Sequence, residues 1–169
     1  MKDNGEIKND TQLLLPFGGP GSATNFFDFH KINTVSGDIE YGRKYDSPDQ
    51  QLIRFRQEYN YEGVQQKFIT WDVMALPKLK EKFHLALVNP PYGVNCKTEA
   101  CAIEFASESF FKILQLMETN GVLYYVIPEE WVDSFISFIT KNNKFTFTKK
   151  DLPKSLNSKN PLTLLRIKI

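Results

Sequence analysis

The chain has 169 residues, 41% hydrophobic and 14% aromatic, which suits one compact domain with a buried core and excludes a disordered chain. A formal net charge of +1 excludes the large basic excess of a protein that grips nucleic acid over a broad surface unaided. No apolar run is long enough to span a bilayer, and Cys96 and Cys101, with His30 and His84 far away in sequence, assemble no metal site; two thiols and no signal-like amino terminus fit a reducing cytoplasm.

Residues 1–10 are polar and aperiodic and read as a flexible terminus, leaving 11–169 as the single domain. Short apolar runs predict strands at 12–17, 32–38, 67–71, 84–88, 121–127, 144–148 and 162–168. Between the first two, Gly18-Gly19-Pro20-Gly21 leads into Ser22-Ala23-Thr24-Asn25, which can open a helix. Ser47-Pro48-Asp49-Gln50 carries a cap, a first-turn proline and a capping-box glutamine, predicting a helix to Glu58. Ile103, Phe110, Phe111, Leu114 and Met117 recur at helical spacing, predicting a helix over 103–117 that Asn120-Gly121 stops. Phe135, Ile136 and Ile139 predict another over 132–140. Lys141, Lys144, Lys149, Lys150, Lys154, Lys159, Arg166 and Lys168 crowd the last stretch against the single acid Asp151, as either a solvated face or a phosphate-contacting rim.

Strands alternating with helices, then two extended runs with no clear helix between them, imply a three-layer αβα sandwich. Its Rossmann-like sheet is mostly parallel and seven-stranded, with an antiparallel strand near one edge. In such sheets ligands bind beyond the carboxyl ends of the strands, so chemistry is sought there.

Four strand ends carry candidates. Gly19 and Gly21 let backbone approach a ligand closely, although such a run also serves as an ordinary turn. Asp38, about twenty residues after the glycines, stands where nucleoside-binding sheets place the acid that accepts from ribose hydroxyls; Glu40 lies further out. Asp72 can receive the amino group of a purine or act as a turn residue. After the fourth strand, Asn89-Pro90-Pro91-Tyr92 is the most informative motif. Its prolines stiffen the loop, the Asn89 side-chain carbonyl and Pro90 backbone carbonyl can converge on one amino group, and Tyr92 offers a stacking face. Cys96, close to Tyr92 in sequence, reads as a packed thiol.

Phe17-Gly18-Gly19-Pro20-Gly21, Asp38, Asp72 and Asn89-Pro90-Pro91-Tyr92, in that order, resemble class I S-adenosylmethionine-dependent methyltransferases, specifically the adenine-specific DNA methyltransferases of the amino-methylating branch. The resemblance implies S-adenosylmethionine as cofactor. Phe17, Gly19 and Gly21 would wrap its methionine part, Asp38 its ribose and Asp72 its adenine, while Asn89, Pro90, Pro91 and Tyr92 would form the target site. It also implies a nucleic-acid partner, DNA before RNA, in DNA modification such as restriction-modification. Leu15 departs from the family, which often has an acid there, and no run after Asn120 is long enough for a target-recognition domain. A separate specificity domain or subunit is therefore expected. The competing readings are a methyltransferase of a protein glutamine amide or a ribosomal RNA base, and a non-catalytic subunit of the same fold.

Overall fold

The computed structural model describes residues 5–7, 11–41, 48–75, 79–91, 98–153 and 161–169. Seven strands, β1 (Gln12–Leu15), β2 (Asn33–Asp38), β3 (Gln66–Thr70), β4 (Phe83–Val88), β5 (Met117–Pro128), β6 (Thr146–Asp151) and β7 (Leu162–Lys168), form one sheet in the order β3-β2-β1-β4-β5-β7-β6. The pairs from β3 to β5 are parallel, and β7 runs antiparallel to both β5 and β6. This is the expected mostly parallel sheet with its antiparallel strand beside one edge.

The layers follow from the two-residue period of a strand. Leu13 and Leu15 join Phe27, Leu85, Val122 and Tyr124 in one core, on the side of helix α1 (Ser22–Phe29). Leu14, Ala86, Leu123 and Tyr125 join Ala106, Phe110 and Phe135 in the other, beneath α3 (Glu99–Leu114) and α4 (Val132–Thr140). Phe110 is fully buried, a burial that contributes about 1.5–3 kcal/mol. The Tyr125 hydroxyl donates to the Ala106 carbonyl at 2.8 Å and contacts Ser109 at 3.0 Å; burial pushes its pKa up, so it stays protonated.

Several boundaries depart from the sequence expectation, among them β1, which ends at Leu15 instead of residue 17 as the chain turns into the glycine loop. α3 begins at Glu99, capped by the Thr98 hydroxyl, and ends at Leu114, so Met117 opens β5 instead of closing a helix. The Leu116 carbonyl accepts from the Phe83 amide at 2.9 Å, and Asn120 takes φ 70° inside the strand, where the pairing with β4 shifts register. β6 begins two residues later than expected and ends three later, because its polar residues pair along β7 as far as Asp151 opposite Thr163. Glu6, within the stretch read as flexible, is tied down: its carboxylate accepts from the Tyr124 hydroxyl and from Arg166 Nε at 2.7 Å. Helix α2 (Pro48–Glu58) has the expected extent; Ser47, its expected cap, lies outside the described residues.

At the far end of α1 a buried carboxylate organises the β2–β3 side of the sheet. Asp28 has no exposed surface and accepts from Arg56 Nε at 2.8 Å and Nη2 at 2.7 Å, the Tyr61 hydroxyl at 2.8 Å, the Val64 amide at 3.0 Å and Gln66 Nε2 at 3.0 Å. Gln66 passes the network on, its oxygen accepting from the Thr34 amide and hydroxyl. Burial alone would raise the Asp28 pKa, but bonds from Arg56, Gln66, Val64 and Tyr61 outweigh it and hold the carboxyl far below the usual range. Burial, with the Asp28 charge, pushes Tyr61 up to about 12.

The ionised Asp28 binds a proton more weakly folded than unfolded, so its stabilisation is complete at neutral pH and is lost as pH falls below about 4. Arg56→Met is expected to cost about 3 kcal/mol at pH 7 in urea denaturation, since it strands a buried charge. Repeated at stepwise lower pH, the same measurement on Asp28→Asn should show a flatter loss of stability than the unsubstituted protein.

Candidate active site at the strand carboxyl ends

The chain runs outward from β1 through β2 to β3, then crosses back to β4, so the carboxyl ends of β1 and β4 diverge at the switch point of the sheet. Leu14 pairs with Ala86; three residues beyond each come Phe17 and Asn89. The two motifs furthest apart in sequence therefore leave the sheet side by side.

The glycine loop is shaped by two left-handed residues. Gly19 has φ 54° and Gly21 φ 95°, and a Cβ on either would meet nothing within 4 Å, so backbone conformation demands glycine and open space lies above it. Gly21 is the N-cap of α1 and provides no side-chain cap. The first intrahelical bond runs from the Asn25 amide to the Gly21 carbonyl at 2.9 Å, so the Ser22, Ala23 and Thr24 amides have no acceptor within the helix. With the helix dipole, they favour negative charge or electron-rich oxygen in front of them.

Asp38 closes the loop from the neighbouring strand. Its Oδ2 accepts from the Gly19 amide at 2.9 Å and its Oδ1 from the Glu40 amide at 2.9 Å. Each oxygen keeps lone-pair capacity for a hydroxyl donor, as a ribose diol requires. Trp71, buried at the end of β3, lies against Gly37: a Cβ there would stand 2.5 Å from its ring. Its indole N–H donates to the Ala75 carbonyl at 2.8 Å. The turn that follows occupies Asp72, whose Oδ1 accepts from the Met74 amide at 3.0 Å and whose carbonyl accepts from Ala75.

Asn89 and Pro91 are exposed and Pro90 is buried, just beyond β4, whose last residue Val88 pairs with Tyr125 of β5. Tyr92 and Cys96 lie outside the described residues. Phe17 is half-buried and packs on Phe105 of α3 with ring centroids 6.1 Å apart, so its ring anchors the loop to the core. Gly18, Ser36 and Tyr41 were not singled out by sequence reasoning. A Cβ on Gly18 would stand 2.1 Å from the hydroxyl oxygens of both Ser36 and Tyr41, and only the register Leu15 to Ser36 reveals this contact.

Two of the hollows among the described residues are large enough to note, and both lie elsewhere. One, of about 490 Å3, opens at the amino edge between Glu6, Gln12, Lys82, His84 and Glu118, and the other, of about 540 Å3, lies between Phe26 and Phe29 of α1 and Phe55 and Tyr59. Neither is lined by Asp38 or Asn89. Among the described residues no cluster of His, Cys, Asp or Glu can hold a metal, and no helix is long and apolar enough to cross a membrane.

No protein-family model and no curated protein sequence matches the chain. Solved structures do. An rRNA methylase from Streptococcus thermophilus aligns at TM-score 0.63 and 15% identity, over 97% of this chain and 89% of the other. A SAM-dependent methyltransferase from Methanosarcina mazei aligns at 0.67 and 11% identity, over 99% and 95%. A magnesium protoporphyrin IX methyltransferase from Synechocystis with bound SAM aligns at 0.67 and 15% identity, over 99% and 73%. At such identities the likeness establishes the fold: this chain has the Rossmann-like fold of the SAM-dependent methyltransferases.

Gly18→Ala is expected to lose about 1–3 kcal/mol of stability in denaturant titration, because the added methyl must displace two buried hydroxyls.

Proposed function

We propose that this chain is the catalytic domain of an S-adenosylmethionine-dependent methyltransferase that methylates an exocyclic amino nitrogen, N6 of adenine in DNA. The observation that carries the reading is the Gly19 to Asp38 hydrogen bond of 2.9 Å. It joins a nucleoside-type acid after β2 to a glycine loop after β1, the strand that pairs with β4, which leads into Asn89-Pro90-Pro91-Tyr92.

The residues suit that cofactor. Space above Gly19 and Gly21, three helix-start amides and the open lone pairs of Asp38 match a carboxylate-bearing, ribose-containing molecule. Gly19 and Gly21 would hold its methionine part, Asp38 its ribose and Asp72 the edge of its adenine; when bound, it supplies a methyl group on a positively charged sulfur. Asn89 and the Pro90 carbonyl would accept the two hydrogens of the target amino group. That nitrogen is a poor nucleophile because its lone pair is delocalised into the ring, and the two acceptors favour the pyramidal form that frees it. Tyr92 would stack on a base turned out of the helix. A cytoplasmic enzyme working with a separate specificity domain or subunit accords with this reading.

A ribosomal RNA base is the second reading, favoured by the likeness to rRNA methylases from Streptococcus thermophilus and Clostridium thermocellum. Methyl-labelled cofactor offered to unmethylated DNA, ribosomal RNA and cell-extract protein separates the two. Label is expected in DNA adenine and should fall at least a hundredfold in Asn89→Ala, the scale of losing a positioned transition-state contact. Label confined to RNA would replace the first reading with the second, and label confined to protein would overturn both.

A further inference from the structure

We infer that Tyr41 is a positioning residue whose hydroxyl, paired with Ser36, forms the floor on which the glycine loop rests, so that loop and nucleoside acid are set by one support. As a statement about cofactor binding, it rests on the proposed methyltransferase reading.

Three features converge on Tyr41. The chain turns immediately after Asp38, and Tyr41 folds back under the sheet end, 5% exposed, its amide reaching the Asp38 carbonyl at 3.5 Å. Its backbone carbonyl accepts from the Thr70 hydroxyl at 3.2 Å, and its ring meets Phe68 edge-on at 5.9 Å, so β3 holds it from two sides. Its hydroxyl shares a buried hydrogen bond of 2.7 Å with Ser36 Oγ. The glycine loop lies directly on that pair. Gly18 donates to the Gly37 carbonyl at 2.8 Å, and its Cα approaches so closely that an attached carbon would stand 2.1 Å from either hydroxyl oxygen.

The next residue along is Gly19, whose amide meets Asp38. If Gly18 rises, that amide leaves the carboxylate, and the acid and the loop lose their mutual alignment. Nothing in the chemistry of the motif demands a tyrosine here. What demands it is a buried gap between β2 and the loop, filled by a hydroxyl that a serine on the strand can bond.

Tyr41→Phe removes only the oxygen. The test follows Gly18 and Gly19 amide exchange by NMR in the protein alone, and S-adenosylmethionine affinity by calorimetry. Tyr125→Phe, which deletes another buried hydroxyl on the opposite face, controls for general destabilisation. In Tyr41→Phe, loop amides are expected to exchange about fivefold faster and the cofactor to bind about fivefold more weakly, the scale of one hydrogen bond. Tyr125→Phe should show neither change, and adding Ser36→Ala to Tyr41→Phe should bring little further loss, because the pair shares one bond. Unchanged loop exchange in Tyr41→Phe, or equal effects in Tyr125→Phe, would overturn the inference. Failure of the unsubstituted protein to bind cofactor would instead count against the proposed function, and the exchange data alone would then decide the role of Tyr41.

Discussion

The bond from the Gly19 amide to the Asp38 carboxylate is the constraint on which the candidate site depends. It forms only if β1 and β2 are paired in register Leu15 to Ser36, if Gly19 adopts a left-handed conformation, and if the chain turns at once after β2. Each condition is met by a different residue type for a different reason. Buried leucines set the register, glycine permits the dihedral, and the Asp38 carboxylate caps its own turn through the Glu40 amide. The site is thus a product of strand alignment, and residues adjacent in space owe their proximity to the core beneath them.

α1 connects that site to the opposite edge of the sheet. With only eight residues it has too few hydrogen bonds to persist alone, so its direction must be imposed from outside. Packing of Phe27 against the sheet supplies part of this, and Asp28 supplies the rest through bonds to α2, the following loop and the start of β3. An anion this deep is tolerable only because five donor contacts compensate its lost hydration. Replacing it by an apolar side chain would save the desolvation cost but lose the geometric definition of where the helix ends.

The strand and helix order was legible from periodicity, and α4 and β7 have the expected ends, each opening on an apolar residue, Val132 and Leu162, and running one residue past its last apolar one, Ile139 and Ile167. β6 was harder to place, since an edge strand held by backbone bonds needs no apolar face, and its Lys149, Lys150 and Asp151 belong to the charged stretch that follows the expected strand. The start of α3 was missed for a related reason: Thr98-Glu99 is a cap-and-acid signal, but it precedes the apolar stripe by a full turn. Of the candidate site, Gly19, Gly21, Asp38 and Asn89 could be picked out because each belongs to a short local pattern at a strand end. Ser36, Tyr41 and Asp28 could not, because their partners are brought close only by strand pairing and helix packing. The one local hint of Asp28 was an acid set between Phe27 and Phe29, where a solvated carboxylate would be out of place.

Among the described residues the sheet has β3 and β6 as its margins, and both carry lysines. β6 presents Lys150 to solvent along one margin, beside Lys149 paired with Asp133 at 2.9 Å, and β3 presents Lys67, 3.9 Å from Glu81, along the other. Unpaired backbone groups at a margin are a template for another extended chain, and bringing two such margins together would force lysines of the same sign into contact. The fold therefore carries its own deterrent against growing into a continuous intermolecular ribbon, a safeguard that matters most while newly made chains are crowded and incompletely closed.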